Sequence, residues 1–217
     1  MVMPASLAPW SGTRVATAST PLSNRLWNLD WSRLAPWQFG DVTVEYVAFD
    51  HVLPFIAEHH PLIFGAGGGP EERFFAEPMT DAKRRFCAEM DVFAFRHDGR
   101  IVGTWLSHPT DWSSYYLRNV AFLPEYQGRG LSAALFRALR GPLAAAGVAR
   151  IESDVSPTNV PSLRVNLAEG FVVTGTQNTE RWGTFVRLTY FVSPDAESVF
   201  VRQFSGVATK LRAKRNT

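Results

Sequence analysis

The sequence predicts an α+β fold, a β-sheet flanked by helices, on three observations. Runs of strand-like residues follow one another between residues 91 and 123, the first two joined by the hairpin signal Asp98-Gly99. The turn Gln127-Gly128-Arg129-Gly130 then leads into a stretch whose apolar residues Leu131, Ala134, Leu135, Ala138 and Leu139 share one helical face. Two more strand-like runs, 171–176 and 184–192, follow a second, shorter helix.

The bulk properties suit such a fold. A chain of 217 residues is long for one small domain and short for two, so one domain with extensions is expected. With 46% hydrophobic and 19% charged residues there is apolar material for a sizeable core. The net charge of +2 gives no argument for nucleic acid, and the basic excess lies at Lys210, Arg212, Lys214 and Arg215, read as a solvated tail. The single cysteine, Cys87, has no internal disulfide partner, and no 18-residue apolar run suggests a membrane span. With no secretory signal legible, a cytoplasmic protein is expected.

In chain order, residues 1–40 form an extension broken by Pro4, Pro9, Pro21 and Pro36. It carries Trp10, Trp27, Trp31 and Trp37, a density of indoles that predicts packing against the domain or a partner. Alternation over 41–49 predicts the first strand, and 51–60 a helix ended by Pro61. A glycine-rich loop, 65–70, lacks the Gly-Lys-Ser/Thr ending of a mononucleotide cradle. A second helix over 71–90 breaks near Pro78 and restarts with Thr80 as its cap. His59 and His60 point about 100° apart on a helix, so no metal is expected.

Strands at 91–96 and 101–107 form the hairpin, and the strand 115–123 is stopped by Pro124. The helix from Leu131 to residue 146 is weakened at Gly141-Pro142 and ended by Gly147, before a strand at 150–155. Asn159 and Pro161 start a short helix and Gly170 stops it; beyond residue 192 no fold is legible.

The strand, turn and helix around residue 130 have a chemical use. The first helical turn leaves backbone N–H groups without partners and carries partial positive charge, so it holds anions. Gly128 and Gly130 place no Cβ between a phosphate and those amides, and Arg129 adds a cation. An ordinary strand-to-helix turn uses the same glycines merely for their backbone angles.

This run resembles the acyl-CoA-binding motif of the GNAT superfamily of N-acyltransferases, Gln/Arg-x-x-Gly-x-Gly/Ala, with Gln127, Gly130 and Ser132 at its fixed positions. Ser132 departs from the usual Gly/Ala. Residues 159–171 resemble the family's second motif, Asn-x-x-Ala-x-x-Leu-Tyr-x-x-x-Gly-Phe, with Asn159, Ser162, Val165, Asn166, Gly170 and Phe171 in register. The resemblance spans roughly 41–192, leaving 1–40 and 193–217 as extensions. It implies a bent mixed sheet whose central strands splay, one ending before the glycine turn and the other at Val155.

It further implies that acyl-CoA lies in that cleft. The pyrophosphate would rest on the amides of Gln127, Gly128, Arg129, Gly130, Leu131 and Ser132, and the pantetheine would pair with the backbone of Ala121, Phe122 and Leu123. Asn159 and Ser162 join the expected cofactor set, and residues 65–70 would border the acceptor entrance. Phe93, Phe95, Trp105 and Leu106 are candidates to set the acyl length, acetyl or longer.

Attack requires a neutral amine and a group to take its proton. The strand before the glycine motif offers no carboxylate: Tyr116 and Asn119 stand there, and an amide is no base. The tyrosine that commonly protonates the leaving thiolate in the family is Asn166 here. Candidate catalytic positions are therefore Asn119, Asp111, Tyr116 and Asn166, with His108, Glu152 and Asp154 as further bases and Tyr115, Ser156 and Ser162 as further acids. Two functions fit: transfer of an acyl group from acetyl-CoA or another acyl-CoA to an amine on a small molecule or peptide, or a non-catalytic acyl-CoA-binding domain. No metal, nucleic acid or membrane partner is expected, and a homodimer is compatible with the family.

Overall fold

The computed structural model describes residues 21–64, 80–179 and 183–203. Trp10, the 65–70 loop, the break near Pro78 and the basic tail lie outside them. An eight-stranded sheet runs β1-β2-β3-β4-β5-β6-β8-β7. Its strands are β1 (Trp37–Phe39), β2 (Val42–Tyr46), β3 (Asp91–His97), β4 (Arg100–Pro109), β5 (Ser114–Phe122), β6 (Arg150–Val155), β7 (Val172–Thr179) and β8 (Gly183–Phe191). The described helices of four residues or more are α1 (Leu22–Trp27), α2 (Phe49–Phe64), α3 (Asp81–Ala88), α4 (Leu131–Ala145), α5 (Val160–Ala168) and α6 (Pro194–Gln203). None is long and apolar enough to cross a membrane.

Every neighbouring pair is antiparallel except β5 with β6. This is the mixed, helix-flanked sheet of the α+β class. One face packs under α4 in a cluster that includes Phe93, Phe95, Trp105, Tyr115, Leu117, Leu135, Leu139, Ile151 and Leu188. The opposite face carries Val92, Ala94 and Leu106 under Val52 and Ile56 of α2.

Several boundaries differ from those expected. The first strand is the shorter Val42–Tyr46, and it pairs with Trp37–Phe39 across a Gly40-Asp41 turn in which Gly40 has φ +64°. A three-residue strand is too short to display a period. Helix α2 does not stop at Pro61 but runs from Phe49 to Phe64 through two prolines. Each proline deletes one backbone bond, and burial of Val52, Phe55 and Ile56 offsets the loss. Likewise α4 continues through Gly141-Pro142 because Leu135, Leu139 and Leu143 are fully buried on one stripe. Thr80 caps α3 as expected, its hydroxyl accepting from the Lys83 amide at 3.3 Å. The region after residue 192 contains α6.

The described part of the N-terminal segment packs onto the fold through a few buried residues, Ser23, Leu29 and Trp31. Trp31 is 1% exposed and meets Phe93 edge-on at 5.6 Å, while the Trp27 indole N–H donates to the Trp112 carbonyl at 2.9 Å. Ser23 of α1 donates to Oδ1 of the fully buried Asp91 at 2.7 Å, Tyr115 to its Oδ2 at 2.8 Å and Tyr46 to Oδ1 at 3.4 Å.

Burial pushes the Asp91 carboxyl up to about 6, outweighing the donors from Ser23, Tyr115, Trp31 and Tyr46 that act to lower it. A carboxyl held above its unfolded value contributes most when protonated, so its contribution is complete below about pH 4 and is lost as pH rises through about 6. The loss amounts to about 3 kcal/mol. Urea unfolding of the wild type and of Asp91→Asn between pH 4 and 7 checks this. The stability difference is expected to move in the variant's favour as pH rises, and parallel curves would refute the assignment.

Candidate active site

Strand β5 ends at Phe122 and passes through a short 3₁₀ turn, Pro124–Tyr126, to the glycines. Gly128 and Gly130 have φ +71° and +75°, the left-handed region that glycine enters without steric cost. Gly130 is the residue before α4 and supplies no capping side chain, so the first-turn amides of α4 stay uncapped. A Cβ built at either glycine meets nothing within 4 Å: the space above the turn is open. The Gln127 side-chain amide donates to the Phe122 carbonyl at 3.0 Å and ties the turn to the strand end.

Arg129 is not free. Its guanidinium pairs with Asp41 from the β1–β2 turn and lies 5.1 Å from the centre of the Tyr126 ring. His97 is 3.4 Å from the same carboxylate and 2.6 Å from the Tyr126 hydroxyl. Nothing in the sequence marked Asp41 or His97, because their positions follow from strand pairing across the sheet.

The opening beside the turn comes from the only parallel contact in the described sheet. Ser114 to Leu117 pair with Arg150 to Ser153, and there the pairing stops. Beyond it β5 stays with β4 and β6 with β8. The divergence starts at a bulge, since Leu106 faces Asn119 whereas Ser107 faces Leu117, leaving Arg118 as the extra residue of β5. An extra residue bends its strand and raises the local twist.

Backbone direction follows from the ladder. The Leu123 amide donates to the Val102 carbonyl, so by alternation Ala121 and Leu123 turn their backbone groups to β4, and Val120 and Phe122 turn theirs to the opening. Of the stretch expected to meet pantetheine, only Phe122 presents its backbone there, and Val120 joins it.

The expected catalytic side chains are not brought together. Asp111 lies before the closed end of β5, where it accepts from the Ser113 amide at 2.7 Å and pairs with Arg150 at 3.3 Å. Burial raises its carboxyl, but the hydrogen bonds from Ser113 and Ser114 and the Arg150 charge leave it below the ordinary value. It caps a loop and does not face the opening. Asn166 donates to the Ser162 carbonyl at 2.8 Å within its own helix, and Asn159 caps that helix by accepting from the Ser162 amide at 3.2 Å. Phe93, Phe95 and Trp105 are buried in the core on one sheet face and Leu106 on the other.

Tyr116 and Asn119 do lie at the opening, on the α2/α3 face. Tyr116 stands opposite His108, and Asn119 opposite the buried Leu106; residues directly opposed across a ladder share a face. The Tyr116 hydroxyl donates to Asp154 Oδ2 at 3.2 Å. Burial first, then the Asp154 charge, pushes that phenol up to about 12, which keeps it a hydrogen-bond donor and a poor proton source.

Asp154 is itself clamped by Arg187 through two bonds of 2.8 and 2.7 Å, and Glu152 pairs with Arg150 at 3.4 Å. Every carboxylate among the expected bases therefore has a cationic partner. His108 differs: Nδ1 is 2.9 Å from the Pro109 carbonyl, while Nε2 is buried without a hydrogen-bond partner. Among the described residues no cluster of three or more His, Cys, Asp or Glu side chains has metal-binding geometry.

Comparison with known proteins matches this geometry. Residues 26–171 match the model of the acetyltransferase (GNAT) family. The chain is 32% identical over 124 residues to an uncharacterized N-acetyltransferase of Mycobacterium tuberculosis, covering 57% of this chain and 75% of that protein. Two solved structures share the fold. A GNAT family acetyltransferase from Elizabethkingia anophelis with acetyl-CoA bound has a TM-score of 0.54 at 11% identity, covering 70% of this chain and 99% of that one. The ribosomal-protein-S18-alanine N-acetyltransferase from Escherichia coli has a TM-score of 0.50 at 20% identity, covering 70% and 94%. The family model covers two thirds of the sequence and the Mycobacterium relative is matched over three quarters of its length, so the chain belongs to the GNAT family of acetyltransferases.

Proposed function

We propose that this enzyme moves an acetyl group from acetyl-CoA to a primary amine by direct transfer. The observation that carries the reading is the open, uncapped turn at Gly128 and Gly130 beside the parted strands β5 and β6. Phosphates on the first-turn amides of α4 and pantetheine along Val120 and Phe122 bring the thioester toward the bulge at Arg118. The amine then enters from the α2/α3 face. Its lone pair attacks the thioester carbonyl, a C–N bond forms, the C–S bond breaks, and coenzyme A leaves as thiolate. Its thiol pKa of about 8.5 lets it leave without a strong acid, which suits a site where Asn166 is bonded within its own helix. Donor binding is supported by the acetyl-CoA in the Elizabethkingia relative of the fold, and an amine acceptor by the alanine named for the Escherichia coli one.

The test is release of free thiol from acetyl-CoA and octanoyl-CoA against amino acids, polyamines, aminoglycosides and peptides with N-terminal alanine. Amine-dependent release with acetyl-CoA preferred is the expected result. Failure to bind coenzyme A in calorimetry would overturn the reading.

A further inference from the structure

With Asp111, Glu152 and Asp154 each paired to an arginine, the proton released by the attacking amine needs another destination. Among the described residues, the acceptor atoms buried without partners on this face of the sheet include His108 Nε2 and Asn119 Oδ1, which stand nearest the opening, and Thr104 Oγ1 farther along β4. Asn119 stands opposite Leu106, two residues along β4 from His108, so the two lie on one face of the sheet on either side of the bulge. Buried acceptors without donors are rare in folded proteins and call for a ligand that donates. A primary amine offers two N–H groups.

The imidazole is oriented for this use. The Pro109 carbonyl can only accept, so it holds the proton on Nδ1 and leaves the lone pair on Nε2. The ring is fixed between Tyr116, at 5.6 Å, and Phe86 of α3, at 6.5 Å. The charged or titratable groups that face it are Tyr116, which donates to the Arg187-paired Asp154, and Arg118 on the bulge. Burial first, and then the Arg118 charge, lowers the imidazole below its ordinary range, and the Pro109 bond offsets this only in part. The lowering favours the neutral ring, whose Nε2 lone pair is then the acceptor.

We propose that His108 is the general base of the transfer, Nε2 taking the proton of the attacking amine while Asn119 Oδ1 accepts its second N–H and orients it. This rests on the acyl-transfer reading above. As the C–N bond forms and the C–S electron pair departs on sulfur, the nitrogen's proton passes to Nε2. The imidazolium keeps its Nδ1–H on Pro109 and returns the other proton to solvent or to the thiolate.

Two measurements test it. In full-length protein labelled with ¹⁵N-histidine, His108 is expected as the neutral Nδ1–H tautomer at pH 7; an imidazolium or an Nε2–H tautomer overturns the proposal without any knowledge of the acceptor. In thiol-release kinetics with acetyl-CoA and the best amine of the panel, His108→Gln is expected to lower kcat by about 100-fold or more. Its KM for acetyl-CoA is unchanged, and the deficit narrows as pH rises and hydroxide takes over the proton transfer. Asn119→Leu raises the amine KM more than it lowers kcat. Wild-type kcat in His108→Gln sinks the base and leaves acyl transfer standing, whereas a wild type that transfers to no amine sinks the acyl-transfer reading on which the base depends.

Discussion

Gly130→Val is expected to abolish coenzyme A binding in a protein that remains folded. The backbone there has φ +75°, where a non-glycine residue costs about 1–2 kcal/mol and a β-branched one is worst placed. A Cβ there meets no protein atom within 4 Å, so the side chain starts out into the open space above the turn and away from the core. Charge-assisted hydrogen bonds are worth about 1.5–3 kcal/mol each. Losing two from the first-turn amides weakens binding by roughly 10² to 10⁴-fold.

Gly130→Asn separates the two causes, because asparagine tolerates the left-handed region yet still carries a Cβ. Calorimetry with coenzyme A and a melting curve on each variant suffice. Both variants losing affinity points to occlusion, and loss in valine alone points to backbone strain. Affinity at the wild-type level in both would move the phosphate site away from this turn.

Trp31→Ala is expected to cost about 3–5 kcal/mol, among the largest effects of any single truncation in a core. Trp31 is 1% exposed and has its ring 5.6 Å from Phe93 and 6.4 Å from Trp37. For a chain of this size each kcal/mol lowers the melting temperature by about 2–4 °C, so a fall of roughly 6–20 °C is expected. Trp31→Phe is the control: it keeps an aromatic ring against Phe93, loses only the indole N–H beside the Asp91 carboxyl and leaves a small void. A Trp31→Ala melting point within 2 °C of wild type would mean that the N-terminal segment merely rests on the sheet.

The glycine turn and the hairpin at Asp98-Gly99 were legible in the sequence because each is written in local chemistry. Positive φ demands glycine at 128 and 130, and the Asp98-Gly99 pair, at φ +48° and +76°, belongs to a tight hairpin. The bounds of α2 and α4 were not legible. Proline marks a local cost, whereas the burial of Phe55 or Leu139 that offsets it belongs to the assembled core.

The site divides in the same way. The sequence by itself determined that Gly130 ends a strand-to-helix turn and that Asn166 stands where the resemblance led one to seek an acid. Only the tertiary structure decided which polar groups are free to act. Asp154 is tied up because β8 sets Arg187 opposite it, and Arg129 because Asp41 reaches it from 88 residues away. His108 keeps a free nitrogen because β4 places it under Tyr116 and Phe86 with its other nitrogen on Pro109. Whether a side chain is paired or free depends on neighbours that are distant in sequence, and only folding brings them within the few ångströms over which a hydrogen bond or ion pair acts.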